Sequence, residues 1–158
     1  MITRRGEFKD IGPLIELIQD GHRISKYKDV EMDTPYLKQM LSACIQRQEV
    51  KGENGCCVIV GQDQNPVDGV LIGMVERIYH IGKKFAATDL FFFVRPDASS
   101  KLGLLLFRQF EKWAEARPEV AYIKLGVTDI FGDIERMSAF YERRGYSRSG
   151  LMFERALS

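Results

Sequence analysis

Between Val94 and Leu104 the chain reads VRPDASSKLGL, a run that brings together residue types able to hold an anion. Ser99 or Ser100 stands where a helix begins, and a serine hydroxyl there accepts a bond from a backbone N–H that the helix leaves free. The remaining free N–H groups, with the positive end of the helix dipole behind them, suit a phosphate. Lys101 adds a cation, and Gly103 lets a ligand come close to the backbone. An ordinary strand-to-helix junction with a serine cap would use the same residues. Other chemistries find less support. The chain has two histidines, His22 and His80, and three cysteines, Cys44, Cys56 and Cys57, with no zinc-ligand spacing among them, so no metal is expected. Cys56 and Cys57 are adjacent on one strand and point to opposite faces. Cys44 falls on an apolar helical stripe, where it reads as a small core residue. His80 lies at a turn, as a solvated side chain or a general base.

The anion-holding run needs a strand before it and a helix after it. Leu90 to Val94 is apolar and rich in aromatic side chains, as in a strand buried on both faces. Leu102, Leu105, Leu106, Phe110, Trp113 and Ala114 recur at helical spacing, predicting a helix from about Ser99 to Arg117. Ala121 to Val127 reads as the next strand, and a strand-helix-strand crossover makes the two strands parallel. Upstream, Met1 to Arg5 is a short strand. A helix capped by Asp10 follows, with Leu14, Leu17 and Ile18 on one side. Residues 23–33 form a charged loop. Thr34-Pro35 opens a second helix, Thr34 as cap. Gly55 to Val60 and Gly69 to Tyr79 form a hairpin, and Phe85 starts the strand that ends at Val94. Asp133 to Arg144 is a last helix, stopped by Gly145. Residues 147–150 and 151–156 read as a final short hairpin.

Composition sets the outer limits. With 158 residues, 45% of them hydrophobic and 28% charged, the chain reads as one domain spanning 1–158. Lys plus Arg is 23 against 22 for Asp plus Glu, so no global field recruits nucleic acid or an anionic membrane. An odd cysteine count and an N-terminus unlike a signal peptide point to a cytoplasmic protein with reduced thiols. No apolar run approaches the roughly 20 residues of a membrane span.

Two stretches carry a family resemblance. Val94-Arg95-Pro96, then Gly103-Leu104-Leu105-Leu106 and Phe110 to Ala114, resemble the signature of the GNAT superfamily of acyl-CoA-dependent N-acyltransferases. Phe140-Tyr141-Glu142-Arg143-Arg144-Gly145-Tyr146 resembles its C-terminal motif, and the order of elements agrees along essentially the whole chain. The sequence departs from the pattern where Ala98 stands for the basic or Gln residue, Lys101 for the first Gly, and Ile134 for the usual Asn. The resemblance implies an α/β (α+β) fold with a mixed, mostly antiparallel sheet of about six or seven strands flanked by about four helices. Its parallel strands, 85–94 and 121–127, would splay to admit acetyl-CoA as co-substrate.

The same resemblance implies a set of roles. The backbone of Ser99, Ser100, Lys101, Leu102, Gly103 and Leu104 would hold the pyrophosphate, and free N–H groups at Phe92, Phe93 and Val94 would face the thioester. Tyr141 would donate a proton to the departing sulfur, and Asp89, with Glu76 as the alternative, would serve as base. The expected reaction is direct acetyl transfer in a ternary complex to a primary amine of a small molecule or protein, with residues 23–33 bordering the acceptor. A homodimer is allowed. A non-catalytic CoA-binding or interaction module of the same fold is the alternative, because the loop lacks its usual basic residue and Gly.

Overall fold

The computed structural model describes residues 1–157. The elements in chain order are β1 (Ile2–Arg5), α1 (Ile11–Arg23), α2 (Thr34–Gln46), β2 (Cys56–Gln62), β3 (Gly69–Arg77), β4 (Phe85–Val94), α3 (Ser100–Glu115), β5 (Val120–Lys124) and α4 (Ile134–Arg143). The strands form one sheet in the order β1-β2-β3-β4-β5. Every neighbouring pair is antiparallel except β4 and β5, which are parallel, as the crossover through α3 requires.

Strand alternation divides the core in two. Cys56, Val58, Val60, Val70 and Ile72 face α1 and α2 and meet Leu14, Leu17, Leu37 and Leu41. Cys57, Ile59, Leu71 and Ala87 face the other way, against Leu102, Leu106, Phe107 and Phe110 of α3 and Tyr141 of α4. Gly73 sets the depth of that second layer, because a Cβ there would lie 2.4 Å from the Phe110 ring. At the turn between β2 and β3, the buried Asp68 carboxylate accepts the N–H groups of Asp63, Gln64 and Asn65 at 2.9, 2.8 and 2.7 Å. These bonds pin the hairpin that carries β3 back beside β4.

Several expectations are corrected. The sheet has five strands, fewer than expected, because residues 147–157 carry no strand. Side-chain ion pairs hold that segment instead: Arg148 pairs with Glu142 and Glu135, and Glu154 with Lys26. Three consecutive apolar residues, Leu151 to Phe153, are solvent-exposed and supply no in-out alternation. β5 stops at Lys124, not Val127, and β3 stops at Arg77, not Tyr79. Asp33, not Thr34, caps α2, accepting the Tyr36 N–H at 2.9 Å. Asp10 makes no cap bond to α1, since its carboxylate is held by the Arg4 guanidinium through two 2.8 Å bonds.

Candidate functional site

The pairing of β4 is irregular at one place. Ile72 lies opposite Phe91 but Gly73 lies opposite Asp89, so Leu90 is an extra residue, a β-bulge. On the other side, the ladder with β5 ends at Thr88 and Lys124. Leu90 therefore has no partner residue on either neighbouring strand, and the β5-facing edge of β4 is open from Asp89 to Val94. Asp89 stands in the fork, where its carboxylate accepts the Gly126 N–H at 3.1 Å. Desolvation raises its pKa above the ordinary value of 3.8, and accepted backbone bonds, first that of Gly126, counter only part of the rise. Glu76 lies opposite Ala86, back inside the paired part of the sheet and away from the fork.

The bulge also decides which side chains reach which face. Phe92 and Val94 pack against the α3 layer, while Phe91 and Phe93 pack against the α1 and α2 layer. Of the three residues expected at the thioester, Phe93 thus directs its side chain to the opposite face from its neighbours.

At the start of α3, Ser99 is the cap and its hydroxyl accepts the Lys101 N–H at 3.4 Å. Ser100 and Lys101 are exposed, whereas Leu102 is fully buried and its N–H donates to the Ser99 carbonyl at 2.9 Å, so of the expected anion-holding residues it offers nothing to a ligand. Gly103 faces the open edge: a Cβ there would meet Val94 at 3.8 Å and Phe92 at 3.9 Å, ordinary contact distances. The fold itself does not demand a glycine at this position. Sequence reading missed one neighbour, Asp63, whose carboxylate accepts the Ser99 N–H at 2.8 Å and places negative charge beside the helix start. Arg95, the nearest arginine in sequence, turns inward to Asp20 and lies 3.7 Å from Asp68.

Tyr141 projects from α4 into the second layer, in an aromatic cluster with Phe107, Phe140 and Tyr146 at centroid distances of 5.5, 5.6 and 5.9 Å. Burial, and then the charge of Asp89, raise its hydroxyl pKa. Tyr141 therefore keeps its proton at neutral pH, and among the described residues its hydroxyl makes no hydrogen bond.

On the α1 and α2 side of β4 lies a cleft of about 320 Å³, floored by Phe91 and Phe93 and walled by α1, the 23–33 loop and the segment after β5. Of the loop charges expected here, Lys26 is tied to Asp129 at 2.8 Å and to Glu154. Phe131, 5.1 Å from the Phe93 ring, was not legible in the sequence, because it comes from an irregular segment with no periodic pattern. His80 sits in a left-handed turn conformation, φ 60°, and is exposed. Cys44, Cys56 and Cys57 are buried free thiols. Among the described residues no group of three or more His, Cys, Asp or Glu side chains is placed to hold a metal ion, and no helix is long and apolar enough to cross a membrane.

No protein-family model matches the sequence, and no curated protein matches it. Solved structures do match. A point mutant of the BH1408 protein from Bacillus halodurans superposes with a TM-score of 0.72 at 20% identity, covering 100% of both chains. An acetyltransferase from Trypanosoma brucei gives 0.67 at 15% identity over 99% of each chain. A ribosomal-protein-alanine N-acetyltransferase from Brucella melitensis biovar Abortus gives 0.68 at 12% identity, over 99% of this chain and 100% of that one. The chain has the GNAT fold. In this structure Gly103 of α3 lies beside Phe92 and Val94 of the open β4 edge, and the Asp89 charge acts on Tyr141 of α4.

Proposed function

We propose that the protein is an acetyl-CoA-dependent N-acetyltransferase that acetylates a primary amine by direct attack in a ternary complex. The observation that carries this reading is the fork itself, where a bulged, unpartnered strand edge meets a desolvated carboxylate and a protonated phenol. The site fits the co-substrate. The Ser100 N–H and the Lys101 ammonium offer an anion site at the α3 N-terminus, and Gly103 lies beside Phe92 and Val94 on the open edge. Acetyl-CoA supplies an activated acyl carbon and a thiolate leaving group.

The residues of the chain then divide the work. Asp89, with its raised pKa, is a base of useful strength and removes the ammonium proton through a water. Free backbone N–H groups on the open edge at Phe92 to Val94 stabilise the negative charge that develops on the carbonyl oxygen. The amine nitrogen forms its bond to the acyl carbon, the C–S bond breaks, and Tyr141 gives its proton to the departing sulfur. The proton held by Asp89 returns to solvent, and the second proton on the nitrogen, lost as the intermediate collapses to the amide, passes through water to reprotonate Tyr141, so charge and protons balance. A module that only binds CoA has no need of a carboxylate held desolvated at the fork. The test is a melt with acetyl-CoA followed by an amine screen for thiol release. At a hundredfold excess over Kd, binding stabilises by about 2.7 kcal/mol. No shift at millimolar acetyl-CoA would overturn the proposal.

A further inference from the structure

We propose that the cleft on the α1 and α2 face takes the acceptor, and that the acceptor is a small lipophilic primary amine, an aryl-alkyl or branched-alkyl amine. This rests on the acetyltransferase reading of the fork. Phe91 and Phe93 floor the cleft and are the residues of β4 just beyond the bulge at Leu90, on the opposite face from Phe92 and Val94. The ladder with β5 has ended before Leu90, so on this proposal an amine lying on Phe91 would reach past that unpaired edge toward Asp89.

The chemistry of the lining selects the body of that amine. Gly21 of α1 backs the Phe93 ring, which would lie 3.1 Å from a Cβ there, and Phe131 packs on it from the segment after β5. Most polar groups of the lining are already engaged, the Tyr36 hydroxyl and the second Asp33 oxygen being the ones left. His22 Nε2 is 2.6 Å from the Val30 carbonyl oxygen, Ser25 donates to the His22 carbonyl at 2.8 Å, the Tyr27 hydroxyl donates to Glu154, and Asp33 caps α2. A polyamine would find a single lining carboxylate, Asp33, rather than an array, and a peptide backbone would find few free donors and acceptors. What remains is apolar area and aromatic faces, which bind a hydrocarbon body and tolerate an ammonium by cation–π attraction. A cleft of about 320 Å³ is at the small end of ligand pockets, sized for one ring or a short branched chain.

The test gives the full chain acetyl-CoA with 2-phenylethylamine, isopentylamine, spermidine, or a short peptide with an apolar N-terminal residue, and follows thiol release. Calorimetry on the CoA-saturated protein measures amine binding separately. The two lipophilic amines are expected to lead in kcat/KM by about tenfold or more, and Phe131→Ala should raise KM for 2-phenylethylamine by about fivefold or more while the Kd for acetyl-CoA holds. Phe131 is half exposed, so its truncation leaves the core intact. Preference for spermidine or the peptide, or an unchanged KM in Phe131→Ala, would overturn the acceptor class and leave the acetyltransferase reading standing. Calorimetric binding of 2-phenylethylamine, weakened in Phe131→Ala but without acetylation of any amine, would do the reverse. Neither binding nor turnover of the lipophilic amines in a protein that binds acetyl-CoA would overturn the acceptor class.

Discussion

The Asp89 carboxylate and the Gly126 N–H are joined at 3.1 Å across the point where β4 and β5 part. The bond takes up a backbone donor that the ladder abandons after Thr88 and Lys124, and it fixes the carboxylate in the fork. One hydrogen bond thus ends the parallel pairing and positions a charged group. Because Asp89 is desolvated, the charged form costs the folded state something.

Asp89→Asn separates those two effects. The amide oxygen can still accept from Gly126, but the base is gone, so turnover should fall by on the order of a hundredfold or more. Stability should hold or rise. A group with a folded pKa raised above its ordinary 3.8 opposes folding where it is ionised and favours it as pH drops. At neutral pH the variant therefore should melt no lower than wild type, and added imidazole should restore part of the rate. A lower melting temperature with full activity would make Asp89 a structural residue only.

Tyr141→Phe removes one hydroxyl from an aromatic cluster that packs through its rings. The fold and acetyl-CoA affinity should survive, while kcat falls by on the order of a hundredfold. A folded variant with the wild-type rate would remove Tyr141 from the chemistry and leave it as a core side chain.

The start of α3 gives a pair of opposed predictions. Gly103→Ala meets only ordinary contacts in the protein, so it should stabilise the helix by about 0.5–1 kcal/mol while weakening acetyl-CoA, whose path it narrows. Asp63→Asn keeps an oxygen for the Ser99 N–H but removes a negative charge beside the phosphate site. It should tighten acetyl-CoA binding, more at low salt than at high. Calorimetry at two ionic strengths checks both, and equal affinities for all three proteins would place the pyrophosphate elsewhere.

The elements were legible where packing imposes a period. The α3 stripe of Leu102, Leu106 and Phe110 and the strand alternation of β2 and β3 are both written in residue spacing, and the parallel β4–β5 pair follows from the crossover. The bulge at Leu90 was not, since nothing in Asp89-Leu90-Phe91 distinguishes an extra residue from a continuous strand, and the register depends on how β3 lies opposite. Phe131 and Asp63 reach the site from irregular segments, where neighbours are set by tertiary contact and not by sequence spacing. The C-terminal hairpin was misread because its exposed run Leu151 to Phe153 has apolar content without a partner strand among the described residues.

Asp68 offers a test of how the hairpin opposite the fork is held. Its buried carboxylate would be raised by desolvation, yet the bonds it accepts from Asn65, Asp63 and Gln64 outweigh burial and hold its pKa below the ordinary 3.8. A depressed folded pKa means the stabilisation is fully present above the unfolded value and is lost as pH falls through the folded one. Wild type should therefore lose melting temperature below about pH 4, part of that loss coming from Asp68. Asp68→Ala strands three backbone donors at a turn and should cost about 1–3 kcal/mol at neutral pH, with a shallower dependence on pH in the acid range. Because Gly69 lies opposite Val94, loosening this turn also loosens the end of β4 that leads into α3. Acetyl-CoA binding should weaken along with stability. A destabilised Asp68→Ala that binds acetyl-CoA as tightly as wild type would show that the helix start is held independently of the hairpin, through α3 packing alone.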